Sequence, residues 1–261
     1  MDSLNDHPIK GHFFENLMKL IFEAFGSGLL AMLFVSTGAG MSFMIGFYVL
    51  LVMGWEITGA HFNPVVTLAY MLRKDEKQTG KWVGLLMMAA QVAGAIGGIF
   101  MVFYCFRGQT YLSVTDSKYV VQAIISEILG SFILVLAYMT QSEKKYRLCS
   151  DDGITLLIVA GAYFTAMALS NPAGNWTTSP LNPAIALAID TFATFDGDVS
   201  LMHWAWIFFT FSFVGSLCAV VFYEIGFKKM EESVARRDEI EHEGEEEETA
   251  GEVIQPASEA M

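Results

Sequence analysis

Two stretches of the chain carry the same pattern, an Asn-Pro pair that leads into a short apolar segment. They cover residues 59–69 (GAHFNPVVTLA) and 179–188 (SPLNPAIALA). An Asn side chain caps a helix N-terminus and Pro at the first helical position fixes φ, so each pair predicts the start of a helix. About ten residues at a rise of about 1.5 Å give a helix of about 15 Å, half of a bilayer core. We expect two half-helices that enter from opposite membrane faces and meet with their positive N-termini at the midplane.

The rest of the apolar sequence is long enough for six complete crossings. Of the 261 residues, 54% are hydrophobic and 16% are charged, a balance typical of a polytopic membrane protein. A crossing needs about 20 residues. Segments near that length lie at 13–36, 39–58, 82–106, 119–140, 153–170 and 201–227. We therefore predict an all-α polytopic membrane protein with six transmembrane helices plus two re-entrant half-helices.

Basic loop residues orient these segments. Of the 15 Lys and Arg residues, only Arg107 and Lys118 fall on the side opposite to the others. The positive-inside rule therefore places both termini in the cytoplasm. As the membrane we expect the plasma membrane or an internal (vacuolar) membrane. We expect a cytoplasmic N-terminus at 1–12 and a membrane domain at 13–227. Residues 228–261 form an acidic tail with few aromatic residues, which predicts disorder.

The membrane domain contains an internal repeat. Residues 23–27 (EAFGS) in the first span match residues 127–131 (EILGS) in the fourth, and an Asn-Pro stretch follows each copy. Each copy holds three spans, an odd number, so the second copy must insert upside down relative to the first. We predict inverted repeats at about 13–106 and 119–227, an arrangement that makes the two Asn-Pro helices face each other.

These features resemble the aquaporin (major intrinsic protein) family over about residues 13–227. The resemblance rests on both Asn-Pro motifs, both Glu-x-x-Gly-Ser openings, residues 90–95 (AQVAGA) and the pair His203-Trp204. It implies an aquaporin-like fold and a homotetramer in the lipid bilayer, with one pore per subunit that passes water or small neutral solutes down a gradient. We expect no enzyme activity, no cofactor, no metal and no nucleic-acid partner.

The motif residues themselves support a pore at the junction of the half-helices. Asn63 and Asn182 would each present a side-chain NH₂ group there, beside two positive helix ends. Water would accept both hydrogen bonds, whereas a cation would meet a positive barrier and no replacement for its hydration shell. The alternative is that each Asn only caps its helix. The candidate pore residues at the junction are Asn63, Pro64, Val65, Asn182, Pro183 and Ala184.

Polar residues inside the spans predict contacts with the loops. An ionised carboxylate in a span costs at least about 2.5–3.5 kcal/mol, so Glu23 and Glu127 should face the interior and accept hydrogen bonds from loop N–H groups. The resemblance makes them, with Gln91, structural loop anchors; the alternative role for the glutamates is a proton relay. Gly94 and Gly98 form a small-xxx-small face for close helix packing.

The predicted filter departs from the family pattern. Val65 stands where Ala is usual, and Ile185 stands where the family has an arginine that lines the narrowest constriction and helps to repel cations. Because Ile has no hydrogen-bond donor and no charge, this filter should be more apolar than the family's filter. A filter that is also wider agrees with the same substitution.

Three further filter positions follow from counting back from the Asn-Pro pairs. They are Phe43, Ser179 and Ser170, the last being replaced by Ala166 if residues 171–178 are an insertion.

Several solutes fit this filter. Aquaglyceroporins tend to carry Asp where this chain has Ala186, and His203-Trp204 resembles water-selective members, so water is the first choice. The alternative is an aquaglyceroporin-like channel for glycerol, urea, ammonia or hydrogen peroxide. The second alternative is a non-conducting structural membrane protein. Five scattered histidines and three cysteines supply no catalytic or metal cluster.

His61 precedes the first Asn-Pro pair and is a candidate for gating. An unperturbed imidazole titrates near pH 6.5, approximately the cytoplasmic range. The alternative is a packed, hydrogen-bonded loop residue.

Overall fold

A computed structural model describes residues 13–75, 79–105, 112, 116–171, 177–195 and 203–237. In these residues the chain is built from helices. They are α1 Phe13–Thr37, α2 Met41–Thr58, α3 Pro64–Leu72, α4 Lys81–Cys105, α5 Val120–Ser142, α6 Asp152–Ser170, α7 Pro183–Phe195 and α8 Ala205–Val221. The 3₁₀ helix Ser117–Tyr119 leads into α5. The predicted N-terminal segment 1–12 lies outside the described residues.

The predicted fold class is confirmed. In the described part of the chain, six helices are long and apolar enough to cross a membrane. The first five, α1, α2, α4, α5 and α6, begin and end within two residues of the predicted spans. The last differs more, because α8 begins at Ala205 and the apolar helical segment continues to Arg237.

Both half-helices begin at the predicted prolines. The first, α3, has 9 residues and the second, α7, has 13. Even 13 residues span only about 20 Å at about 1.5 Å per residue, so neither helix crosses a core of about 30 Å. Asn63 caps α3 by accepting the Val65 N–H at 3.1 Å. Asn182 accepts the Ala184 N–H at 3.1 Å in the same way.

A close helix contact occurs in both halves of the chain. A Cβ added at Gly94 of α4 would collide with the carbonyl oxygen of Ala24 in α1. Gly215 of α8 lies in the same manner against the carbonyl oxygen of Ile128 in α5. Since Ala24 and Ile128 each directly follow the glutamate of their repeat, the pair α1–α4 corresponds to the pair α5–α8. This packing accords with the predicted inverted repeat, whose bounds remain a prediction.

The chain divides into two compact units, Met1–Val220 and Val221–Met261. The first unit contains the two half-helices and the close helix contacts at Gly94 and Gly215. In the second unit, Phe222–Phe227 forms a π-helix. Its Glu224 pairs with Lys228 at 3.0 Å. The predicted boundaries at residues 12 and 227 remain predictions, and the acidic residues 238–261 lie outside the described residues.

Replacing Gly94 by Ala should destabilise the protein by about 1–3 kcal/mol, because the added methyl group overpacks a backbone contact that cannot give way. The matched control is Gly97→Ala on the same helix, where an added Cβ meets nothing within 4 Å. Thermal unfolding of the purified protein in detergent should show a lower melting temperature for G94A than for G97A. Equal melting temperatures would show that the α1–α4 contact does not depend on Gly94.

Candidate functional site

Crossed hydrogen bonds join the two Asn-Pro loops. The Asn63 side-chain amide donates to the carbonyl oxygen of Leu181 at 2.9 Å. The Asn182 amide donates to the carbonyl oxygen of Phe62 at 2.8 Å. All four residues are buried. The N-termini of α3 and α7 therefore meet inside the protein.

Helix capping fixes the orientation of both amides. Each asparagine uses its side-chain oxygen to accept an N–H from its own helix. The side-chain nitrogen must then point away from that helix, which directs it to the opposite loop. A side-chain amide has two N–H donors, so the crossed bond leaves one further N–H on each asparagine. Two donors and two positive helix ends thus lie at one place, an arrangement that favours acceptors and disfavours cations.

Residues with left-handed backbone precede both asparagines. Phe62 has a φ of 46° and Leu181 a φ of 48°. This conformation costs about 1–2 kcal/mol for a residue with a side chain. These are the residues whose carbonyl oxygens accept the crossed bonds. The cost is therefore offset where the two loops hold each other, and both halves use the same local geometry.

Glu23 anchors the first loop by several hydrogen bonds. Its carboxyl group accepts the backbone N–H groups of His61 at 3.1 Å and Phe62 at 2.8 Å. It also accepts the Thr58 hydroxyl at 2.5 Å. The Gln91 amide donates to it at 2.7 Å and to the Thr67 hydroxyl of α3 at 2.8 Å. Gln91 therefore ties α4 to both the glutamate and the half-helix.

Glu127 holds the second loop differently. Its carboxyl group accepts the Ser212 hydroxyl of α8 at 2.5 Å and interacts with the Ser179 side chain. The expected backbone N–H bonds are not found in the described residues. One reason is that Pro180 has no N–H to offer. The other is that the Leu181 N–H is taken by the Ser179 hydroxyl at 2.9 Å.

The two serine positions of the predicted filter lie together. The Ser179 N–H donates to the Ser170 hydroxyl at 3.3 Å, so Ser170 is the residue that contacts Ser179 at this end of α6. Ser170 in turn donates to the carbonyl oxygen of Met167 at 2.8 Å. Both hydroxyl groups are thus engaged in holding the loop. Ala166, the alternative position, is also buried.

The two apolar filter positions are fully buried. Phe43 packs against Tyr163 with ring centroids 5.3 Å apart and against Phe47 at 6.3 Å. Ile185 lies in the first turn of α7 with its N–H directed at the Asn182 side-chain oxygen, 3.5 Å away. Neither residue offers a side-chain donor, in agreement with an apolar filter. That these residues form the filter remains a prediction.

Two buried tyrosines were missed by the sequence analysis. The Tyr138 hydroxyl of α5 donates to the carbonyl oxygen of Ala60 at 2.9 Å. The Tyr163 hydroxyl of α6 donates to the carbonyl oxygen of Pro180 at 2.5 Å. A hydroxyl buried in an apolar span needs a partner, and an unpaired loop carbonyl is such a partner. That rule was the available signal, although it does not say which carbonyl is used.

His61 is a packed residue of the first loop. Its Nδ1 lies 3.2 Å from the Thr67 hydroxyl, and its ring lies 4.4 Å from the ring of Tyr70. Burial lowers the pKa of His61 to about 3, with a smaller contribution from the positive charge of Arg73. The imidazole is therefore neutral near pH 7. Gating by His61 stays a prediction, and this geometry favours the packed alternative.

Arg73 follows α3 and is fully buried. Its guanidinium group binds the Asp75 carboxylate in two places, at 2.9 Å from Nε and 2.7 Å from Nη2. It also reaches Glu143 at 3.3 Å and the Ser142 hydroxyl at 2.8 Å. The cation lies 5.0 Å from the centroid of the Tyr70 ring. This cluster ties the end of the first half-helix to the end of α5, a role that sequence analysis did not assign.

Comparison with known proteins agrees with this geometry. The family model described as Major intrinsic protein matches residues 15–223. The chain belongs to the major intrinsic protein family. The predicted resemblance is thereby confirmed, and the six apolar helices make the chain an integral membrane protein of a channel family.

Its relatives in the family include water and glycerol channels by name. Aquaporin PIP2-4 of Oryza sativa subsp. japonica is 25% identical over 175 residues, which cover 65% of this chain and 59% of the rice protein. The chain thus spans less than two thirds of that relative's length. The glycerol uptake facilitator protein of Bacillus subtilis (strain 168) is 25% identical over 239 residues, covering 80% of this chain and 82% of that protein.

A solved structure shares the family fold. The aquaglyceroporin from Plasmodium falciparum matches with a TM-score of 0.67, covering 83% of this chain and 99% of that chain. The sequence identity of this match is 17%, so the likeness concerns the fold alone.

The depressed pKa of His61 leads to a pH prediction. The folded protein holds the imidazole neutral down to about pH 3, whereas the unfolded chain protonates it near pH 6.5. Its contribution to stability is therefore complete above about pH 6.5 and is lost progressively as the pH falls toward 3. The melting temperature of the wild type should fall more steeply than that of His61→Asn between pH 6.5 and pH 4.5.

The same experiment bears on gating. Because the imidazole does not change its charge in the folded protein, solute flux through the wild type should be the same at pH 6 and pH 7.5. A pH-dependent flux that disappears in His61→Asn would restore the gating role.

Proposed function

We propose that this protein is a passive water channel with one pore per subunit, which also admits small uncharged solutes. The observation that carries the proposal is the pair of crossed asparagines at the meeting helix ends. Each amide is held by its cap and by the opposite loop, so its position costs no reorganisation when a solute arrives. A water molecule at this point can accept hydrogen bonds from the amides and must turn its own hydrogens outward.

Electrostatics at the junction support passage of neutral solutes. Two helix N-termini with partial positive charge meet there, and the carbonyl oxygens of Phe62 and Leu181, which could replace part of a cation's hydration shell, are paired with the asparagine amides. Proton and cation exclusion would then come from the junction and not from the filter, because Ile185 carries no charge.

The apolar filter favours a second candidate, an aquaglyceroporin-like channel mainly for glycerol, urea, ammonia or hydrogen peroxide. Ile185 and Phe43 are fully buried and apolar, and the hydroxyls of Ser170 and Ser179 are engaged in the loop. Small residues and Ile185 around one aromatic ring make a filter that water alone does not require. The relationship to a glycerol uptake facilitator protein supports this reading. A non-conducting structural protein is the remaining candidate.

The assembly and the topology belong to the same proposal. We infer a homotetramer in the lipid bilayer with both termini in the cytoplasm. The basic loop residues support the orientation. Large apolar side chains on the outside of the helices, such as Trp82, Leu85 and Ile125, suit contact with lipid or with a neighbouring subunit.

Stopped-flow light scattering on proteoliposomes tests the function. Vesicles that contain the protein should shrink faster than empty vesicles under a gradient of an impermeant osmolyte. Under a glycerol gradient, shrinkage without rapid re-swelling indicates a water channel, whereas rapid re-swelling assigns the channel to polyols. Shrinkage no faster than in empty vesicles would contradict both the water channel and the polyol channel and would leave the non-conducting structural role.

A further inference from the structure

The two anchoring glutamates meet different kinds of hydrogen-bond partner, and Glu23 meets mainly N–H groups. Three of these surround its carboxyl group, from the backbone of His61 and Phe62 and from the Gln91 side chain, at 3.1, 2.8 and 2.7 Å. The Thr58 hydroxyl is the fourth partner, at 2.5 Å. An N–H group can only donate, so these partners need acceptors. A carboxyl group that accepts several N–H bonds is favoured in its ionised form.

Glu127 has no N–H partner among the described residues. Its hydrogen bond joins it to the Ser212 hydroxyl, 2.5 Å away, and the other side chain that interacts with it, Ser179, is also a hydroxyl. A hydroxyl can accept a hydrogen bond as well as donate one. Glu127 is 1% exposed, and it forms no salt bridge within the described part of the chain. An ionised carboxylate would be a buried charge with few donors, which is costly.

One hydroxyl hydrogen at Ser212 must serve two neighbouring oxygens. The Ser212 oxygen lies 2.5 Å from the Glu127 carboxyl group and 2.8 Å from the carbonyl oxygen of Phe208, one turn earlier in α8. A backbone carbonyl can only accept. If Glu127 were ionised, one of the two contacts would contain no hydrogen. If Glu127 is protonated, it donates to Ser212 and Ser212 donates to Phe208, so both contacts are hydrogen bonds.

We propose that Glu127 binds a proton at neutral pH and acts as a hydrogen-bond donor, whereas Glu23 is ionised and acts as an acceptor. The second Asn-Pro loop is then anchored through a proton-binding site and the first through a fixed negative charge. A proton at Glu127 does not require that the protein conducts any particular solute.

The elements packed against Glu127 bring little charge to it. Ser212 of α8 and Ser179 of the second loop do not titrate. From α6, Tyr163 interacts electrostatically with Glu127, and its hydroxyl donates to the Pro180 carbonyl. A tyrosine hydroxyl is neutral near pH 7. In the described part of these elements, no positive charge takes the place of the proton.

Proton binding by Glu127 links folding to pH. The unfolded chain releases this proton near pH 4.3, whereas the folded protein keeps it at pH 7. Between these values the unfolded state binds fewer protons than the folded state. The contribution of Glu127 to the free energy of unfolding therefore falls as the pH rises. This sign is opposite to that of His61, whose contribution grows as the pH rises.

Infrared spectroscopy of the purified full chain in detergent at pH 7 tests the proton directly. A protonated carboxyl group has a C=O band above the amide I region, and a carboxylate lacks this band. In the described residues three carboxyl side chains are buried, those of Glu23, Glu127 and Asp190. Glu127→Gln should remove a component of the band that Glu23→Gln, the matched control in the other half, retains. Asp190→Asn identifies the component that belongs to Asp190.

Melting temperatures give a second readout. E127Q should unfold within about 2 °C of the wild type at pH 7, because the glutamine amide donates to Ser212 as a carboxylic acid does. E23Q should lower the melting temperature by about 4 °C or more, because its amide NH₂ group faces N–H donors. Between pH 5 and pH 8 the melting temperature of the wild type should fall relative to that of E127Q.

A wild type without the C=O band at pH 7 would overturn the proposal, and so would a band that E127Q retains in full. Failure of E127Q to fold would overturn it as well, because glutamine is the neutral counterpart of a protonated glutamate. If E23Q does not fold, the comparison of E127Q with D190N still assigns the proton. Solute flux enters none of these measurements, so the channel function and the proton site fail or stand separately.

Discussion

Backbone groups of two loops must be hydrogen-bonded inside a membrane core that supplies no bulk water, and the crossed asparagines meet this requirement. Each Asn satisfies an N–H of its own helix with its oxygen and a carbonyl of the other loop with its nitrogen. Each asparagine side chain thus joins the two half-helices, through bonds between residues that are 118 and 120 positions apart in the sequence. The close glycine contacts of α1–α4 and α5–α8 hold α1 and α5, the helices that carry the glutamates.

The two halves solve the same anchoring problem with different chemistry. Glu23 binds the first loop directly through two backbone N–H groups. In the second half Pro180 offers no N–H, so the Ser179 hydroxyl takes the Leu181 N–H and interacts with Glu127. The repeat is therefore symmetric in its helices and asymmetric in its hydrogen bonds. The Ser179 hydroxyl oxygen is thereby held in the anchor of the second loop as an acceptor.

This asymmetry changes how selectivity can arise. At the predicted filter, Ile185 supplies neither a charge nor a side-chain donor, and both Ser170 and Ser179 make hydrogen bonds where α6 meets the second loop. Polar groups are then concentrated at the junction, where each asparagine amide has one N–H beyond its crossed bond.

The sequence by itself determined the helices, their number and the two half-helices. Apolar length and the Asn-Pro pairs are local signals, because a span needs about 20 apolar residues and a cap needs Asn before Pro. It also predicted the interior position of Glu23, since a buried carboxylate must find donors. Only the tertiary structure decided which carbonyls Tyr138 and Tyr163 bind and that Arg73 is buried against Asp75 and Glu143. Such partners lie on different helices, and their pairing depends on the relative rotation and depth of those helices, which hydrophobic periodicity does not specify.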